Sequence, residues 1–246
     1  MRVLILSDIH GNIRALQAVA LAAKKFDRVI CAGDTVNYGP SPGACIEWLA
    51  ENDAVVVCGN HDFAVATEAD PRAAPDKQPL ALAMRDWTRA QLSAAQLDWL
   101  RRLPRQTQFE LGGTTWLMIH ATPADPLYDY RLTPGADQPL VEQLTRDVPA
   151  DLLVVGHTHL PLVRTAGKLQ IVNPGSVGQP LDGNPLAAYA IWDNGRISLQ
   201  RVAYDQNGVV RELQSLPLER SHRDALCRIL KSARIQPIAQ PSPQPR

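Results

Sequence analysis

The stretch Val3-Leu4-Ile5-Leu6-Ser7-Asp8-Ile9-His10-Gly11-Asn12-Ile13-Arg14-Ala15-Leu16-Gln17-Ala18-Val19-Ala20 holds three kinds of text in succession. Four apolar residues without alternation, 3–6, read as a strand buried on both faces. A short polar loop follows. Residues 13–20 then carry apolar side chains at the spacing of an amphipathic helix, and Asn12 is placed to cap it. The order recurs downstream: a strand at 28–32, a Gly/Pro loop, a helix at 42–50 and a third strand at 54–58. Strand and helix alternating in this way predict parallel strands joined by crossover helices.

The middle of the chain reads differently. Residues 64–77, rich in Ala, Asp and Pro, read as an irregular loop. Helices are expected at 78–91 and 94–102, the second opened by the capping-box pair Ser93 and Gln96. Residues 106–110 and 114–119 flank Gly112-Gly113 as a hairpin, and a helix is expected at 139–146. Residues 152–155 read as a strand, 162–164 pairs with 169–172, and 187–192 pairs with 196–203 across Asp193-Asn194-Gly195, a strong hairpin signal. A helix at 222–233 precedes a Pro/Gln-rich end. We expect one domain over 1–234 and a disordered tail over 235–246.

Bulk properties narrow the function classes. Lys plus Arg (25) equals Asp plus Glu (25), so no global field draws the chain to nucleic acid or to a membrane. The N-terminal apolar run is too short for a signal-peptide core, and no later run could span a bilayer; a cytoplasmic protein is expected. Cys31, Cys45, Cys58 and Cys227 form no C-x-x-C pair and read as reduced thiols, Cys31 and Cys58 in the core.

The chemistry lies where the apolar runs end. Asp8 and His10 follow the first run, Asp34 the second, Asn60, His61 and Asp62 the third; His120 follows 116–119, and His157 and His159 follow 152–155. Ligands of α/β sheets bind outside the carboxyl ends of strands, where such loops converge. Imidazole, carboxylate and carboxamide are donors that divalent metals accept without thiolate. Taken singly, each of these residues has an ordinary structural reading as a turn former or a loop histidine. Five loops delivering such donors to one rim predict a polynuclear metal centre.

The series Asp8-x-His10, Gly33-Asp34, Gly59-Asn60-His61-Asp62, His120 and Gly156-His157-Thr158-His159 resembles the calcineurin-like metallophosphoesterases. With Asn37-Tyr38-Gly39-Pro40 and Asn173-Pro174-Gly175-Ser176-Val177-Gly178, it resembles their small prokaryotic phosphodiesterase-like branch over about residues 1–203. The resemblance implies a four-layer α-β-β-α sandwich: two mixed β-sheets flanked by helices, with a dinuclear metal site at the strand C-terminal rim. It implies that Asp8, His10 and His159 hold one metal, Asn60, His120 and His157 the other, and that Asp34 bridges both. His61 then stands near the leaving group as proton donor, and a hydroxide bridging the metals attacks phosphorus. With Asp8, Asp34 and the hydroxide counted against two divalent ions, about one net positive charge remains to meet an anionic ester. The expected cofactors are two divalent ions among Mn, Fe, Zn, Ni and Co, with Mn for activity, and the expected partner is a small phosphate ester.

Two departures bear on the substrate. Where the protein phosphatase branch carries Asp-Arg, this chain has Asn37-Tyr38, and Ala124 stands where small-branch relatives often carry Arg. Losing bidentate Arg contacts weakens a dianionic monoester most. We therefore expect phosphodiesters to be preferred over monoesters, with Arg131 or Arg164 as candidate replacement cations. The competing readings are a phosphomonoesterase or protein phosphatase on the same site, a nuclease, and a non-catalytic scaffold on the same fold; retention of every ligand argues for the enzyme.

Overall fold

The computed structural model describes residues 1–73, 75 and 77–235. In chain order the elements are β1 (Arg2–Leu6), α1 (Ile13–Ala23), β2 (Arg28–Cys31), α2 (Pro42–Glu51), β3 (Val55–Val56), α3 (Asn60–Thr67), α4 (Gln78–Gln91), α5 (Ala94–Arg102) and β4 (Gln106–Leu111). They continue with β5 (Thr114–Ile119), α6 (Gln138–Thr145), β6 (Leu152–Val154), β7 (Leu162–Ala166), β8 (Leu169–Asn173), β9 (Ala187–Asp193), β10 (Arg196–Val202), α7 (Gln206–Gln214) and α8 (Arg220–Ser232). One sheet runs β10-β9-β1-β2-β3 and the other β4-β5-β6-β8-β7. Both are mixed: β1 pairs parallel with β2 and antiparallel with β9, and β6 pairs parallel with both β5 and β8 while β7 closes antiparallel on β8.

Strand alternation builds the layers. In β1, Val3 and Ile5 face the second sheet and meet Trp116, Met118, Leu152 and Val154. Leu4 and Leu6 point the other way onto α1 and α2, against Leu16, Val19, Cys45 and Leu49. Across the second sheet, Leu117, Ile119, Leu153 and Val155 pack under α6 through Val141 and Leu144. Removing each such side chain from water contributes roughly 1.5–3 kcal/mol, which is why unbroken apolar runs select the doubly covered position. The result is the expected four-layer sandwich. The Asn194-Gly195 turn has φ of 46° and 91°, the left-handed pair that a two-residue hairpin requires.

Two helices depart from expectation. Residues 60–67 form α3 where the chain reads as rim loop and then irregular segment. Asn60, His61, Asp62, Ala64, Val65 and Ala66 are all buried, so this helix has no polar face and shows no amphipathic period. Residues 206–214 form α7 despite Gly208 in its first turn, because the Asp205 side chain accepts from the Gly208 N–H and caps it. α7 and α8 lay Val209, Leu213, Leu226 and Leu230 against Leu80 and Met84 of α4. Trp87 and Trp99 likewise pack on apolar clusters, as core side chains. The expected tail lies, from residue 236 on, outside the described residues.

Candidate metal centre

β1, β2 and β3 end on the same rim as β5 and β6, and the loops beyond them interlock across the two sheets. The His157 N–H donates to Asp8 Oδ2 at 3.1 Å, and His120 Nδ1 donates to the Ala32 carbonyl at 2.7 Å. Asp8, His10, Asp34, His157 and His159 all have φ between 48° and 66°. The left-handed conformation costs an L-residue about 1–2 kcal/mol, so five such positions at one rim represent strain that the surrounding packing enforces. Space is equally constrained: a Cβ on Gly156 would collide with Ser7 Oγ, and one on Gly59 with Asp34 Oδ1.

His10 and His159 are each oriented by a bond on the far side of the ring. His10 Nδ1 donates to the Val36 carbonyl at 3.2 Å and His159 Nδ1 to the Gln179 carbonyl at 2.5 Å, leaving both Nε2 atoms as acceptors. These two Nε2 atoms face each other at 3.1 Å. Asp8 Oδ1, buried and without a hydrogen bond, lies 3.3 Å from His159 Nε2, and Asp34 Oδ2 lies 3.7 Å from His10 Nε2. One ligand atom from each of Asp8, His10, Asp34 and His159 falls within 4.8 Å of all the others. Four metal-type donor atoms converging in this way fit a divalent ion.

The second predicted set meets at the same Asp34 oxygen, Oδ2. His120 Nε2 is 3.3 Å from Asp34 Oδ2 and 3.2 Å from Asn60 Oδ1, and His157 Nδ1 is 3.1 Å from the same amide oxygen. Asn60 Nδ2 donates outward to the Pro71 carbonyl at 2.8 Å, which turns its oxygen toward the two imidazoles. Asp34 is thus the carboxylate shared by both groups. Its other oxygen, Oδ1, accepts from the His61 N–H at 2.9 Å.

Without metal, the cluster's electrostatics are unbalanced. Burial pushes the Asp8 carboxyl up to about 7, assisted by Asp34. Burial would also raise Asp34, but His120 and His61 hold it well below the usual carboxylate range. Burial would lower His120, yet Asp34 raises it to about 9. Burial drives His10 down to about 3 and His61 to about 4, and holds His157 and His159 well below the usual range.

His61 is buried beside the ligands and not among them. Its Nδ1 lies 2.7 Å from Asn37 Nδ2, so the amide donates and the imidazole proton sits on Nε2. Asp62 is structural: it accepts from the Val36 and Gly59 N–H groups, both at 3.1 Å. Asn12 caps α1 and donates to the Gly178 carbonyl, which accounts for both ends of its amide.

Neither proposed replacement cation reaches the site. Arg131 is ion-paired with Asp129, and Arg164 binds the Ala136 carbonyl and Gln138. The cations of the cavity over the ligands, about 380 Å³, are Arg72 and Lys77, which the chain's motifs do not mark. Tyr130 also went unmarked; its ring stacks 3.8 Å from that of His157 and remains 47% exposed.

Residues 1–195 match the model of the calcineurin-like phosphoesterase superfamily domain. An uncharacterized protein of Methanocaldococcus jannaschii is 31% identical over 221 residues, covering 82% of this chain and 87% of that protein. Phosphodiesterase YfcE of Escherichia coli is 26% identical over 235 residues, covering 88% of this chain and 100% of that one. A crystal structure of a metallophosphoesterase from Sphaerobacter thermophilus superposes with a TM-score of 0.80 at 30% identity, covering 95% of this chain and 99% of that one.

Proposed function

The chain belongs to the calcineurin-like phosphoesterase superfamily, and we propose that it is a metal-dependent phosphodiesterase acting on small phosphate esters. The observation that carries the metal dependence is the pair of Nε2 atoms of His10 and His159, facing each other at 3.1 Å between two carboxylates. In this reading Asp8, His10 and His159 hold one divalent ion, Asn60, His120 and His157 a second, and Asp34 bridges them. Such ions supply Lewis acidity for the phosphoryl oxygens and make water acidic enough to attack near neutral pH. An all-nitrogen-and-oxygen donor set suits Mn, Fe, Zn, Ni or Co, and manganese is the proposed activating metal among them.

His61 is the proposed proton donor to the leaving group. The bond from Asn37 leaves an N–H on Nε2; burial holds the metal-free imidazole at about 4, and full proton transfer requires the imidazolium form, which the negative charge of a bound ester favours. His61 lines the same cavity as Asp34 and Asn60, while Tyr130, Leu160 and Leu181 supply an apolar wall. A diester has two organic arms, and that wall offers a surface for the second. This wall, the absence of arginine at positions 38 and 124, and the similarity to phosphodiesterase YfcE support the diester preference. We place the domain at residues 1–234, and buried free thiols at Cys31, Cys45, Cys58 and Cys227 support a reducing, cytoplasmic setting. Among the described residues no helix is long and apolar enough to cross a membrane.

The test compares bis(4-nitrophenyl) phosphate with 4-nitrophenyl phosphate under Mn²⁺. Faster turnover of the diester supports the proposal, and a clear monoester preference overturns it.

A further inference from the structure

The cavity over the predicted ligands carries more positive charge than a simple diester needs. A phosphodiester bears one negative charge, which the metal centre meets. Arg72 and Lys77 nonetheless line the same cavity as Asp34, His61 and His159. Both lie between α3 and α4, and a hydrogen bond to Pro71 registers the Arg72 end to the centre. The Asn60 amide, whose oxygen faces the second ligand group, donates its N–H to the Pro71 carbonyl one residue before Arg72. The Arg72 backbone N–H is held in turn by Asp70 Oδ1 at 2.6 Å.

The Arg72 side chain is set to receive an anion. The Arg72 guanidinium lies over the Tyr128 ring, its Cζ 4.4 Å from the centroid, so among the described residues an aromatic face holds it and not a carboxylate. A cation held this way keeps its N–H fork for a planar oxyanion. Lys77, the residue before α4, is only 9% exposed and lines the same cavity as His61 and His159. A lysine in the wall of that cavity lies within electrostatic reach of an ester bound there.

We propose that Arg72 and Lys77 form an anion clamp for a second, phosphate-like group carried on one arm of the substrate phosphodiester. The inference rests on the phosphodiesterase reading and adds a substrate class to it: diesters with a phosphate beyond the scissile one. It also gives Arg72 and Lys77 a task, that of selecting substrate at the mouth of the metal site.

The probes are two esters that release the same 4-nitrophenolate: thymidine 5′-(4-nitrophenyl phosphate) and the same compound bearing a 3′-phosphate. The wild-type protein should prefer the 3′-phosphorylated ester in kcat/KM by about tenfold or more, mainly through KM. Arg72→Ala and Lys77→Gln should each remove most of that preference, while Arg72→Lys should retain part of it. Raising salt should erode the preference in the wild-type protein, an arm that needs no variant to fold. A wild-type ratio near one, or a preference that survives both substitutions and high salt, overturns the clamp while leaving the phosphodiesterase reading standing. A preference for 4-nitrophenyl phosphate that Arg72→Ala abolishes places the cations on the scissile phosphate and also overturns it. Turnover of neither ester with any of Mn, Fe, Zn, Ni or Co overturns the phosphodiesterase reading and the clamp together.

Discussion

His10 and His159 present their Nε2 atoms to each other at 3.1 Å, and each is held there by an Nδ1–H donated to a backbone carbonyl. Both imidazoles are driven neutral by burial, so neither carries a second proton to bridge the gap. A cation is the partner that relieves this arrangement.

Replacing the shared carboxylate should affect both ligand groups at once. Asp34→Asn keeps the shape but removes the charge that Asp34 Oδ2 places near His10 and His120. We expect metal content to fall and turnover to drop by about a hundredfold or more. Full metal content with retained activity would refute Asp34 as the bridge.

Metal binding should be coupled to proton release. At pH 7 the metal-free protein holds a proton on His120, raised to about 9, and part of one on Asp8, raised to about 7. His10, at about 3, holds none. A site that carries more protons empty than filled gains affinity as pH rises and loses it as pH falls. Affinity should therefore climb through the neutral range and level off above about pH 9, with about one to two protons released at pH 7. Calorimetry in buffers of different ionisation enthalpy measures this number, and uptake in place of release would contradict the account.

His61→Ala should retain both metals, because His61 bonds the converging acceptors through its backbone N–H to Asp34, which alanine keeps, and its ring meets that of His10 only edge-on at 5.3 Å. Turnover should fall by about 10²–10⁴-fold for alkyl esters and much less for nitrophenyl esters, whose leaving group needs no proton. Equal losses across leaving groups would remove the proton-donor role.

Gly156→Ala should be among the most damaging single changes outside the ligands. The added methyl meets Ser7 Oγ and Asp8 Oδ2 behind the first ligand group. We expect loss of metal binding in a protein that still folds, visible as retained far-ultraviolet circular dichroism without bound metal. Normal metal uptake would show that the rim relaxes more freely than its packing implies.

Much of this molecule is legible in its chain because burial writes the same signal at each strand. Residues 3–6, 116–119 and 152–155 are apolar on both faces because each lies between a sheet and a helix layer, and each ends where polar donors begin. The hairpin at Asn194-Gly195 is equally readable, since its turn demands those residues. α3 is not, because a helix buried on nearly all sides carries no period, and α7 is hidden by a glycine that its Asp205 cap tolerates.

The candidate site divides the same way. Its metal-type donors stand out by residue type and by position after each strand. Arg72 and Lys77 do not, since no spacing links them to the five blocks; the link is the bond from Asn60 to Pro71, which exists only in the fold. The left-handed backbone at Asp8, His10, Asp34, His157 and His159 is also invisible in the chain, where none of the five is glycine.

The most direct test of the central claim is titration of metal-stripped protein with Mn²⁺, following bound metal and hydrolysis of bis(4-nitrophenyl) phosphate together. Activity should be absent without metal and reach its plateau at two ions per chain. Hydrolysis by the metal-free protein, or two bound ions with no hydrolysis of any phosphate ester, would contradict it.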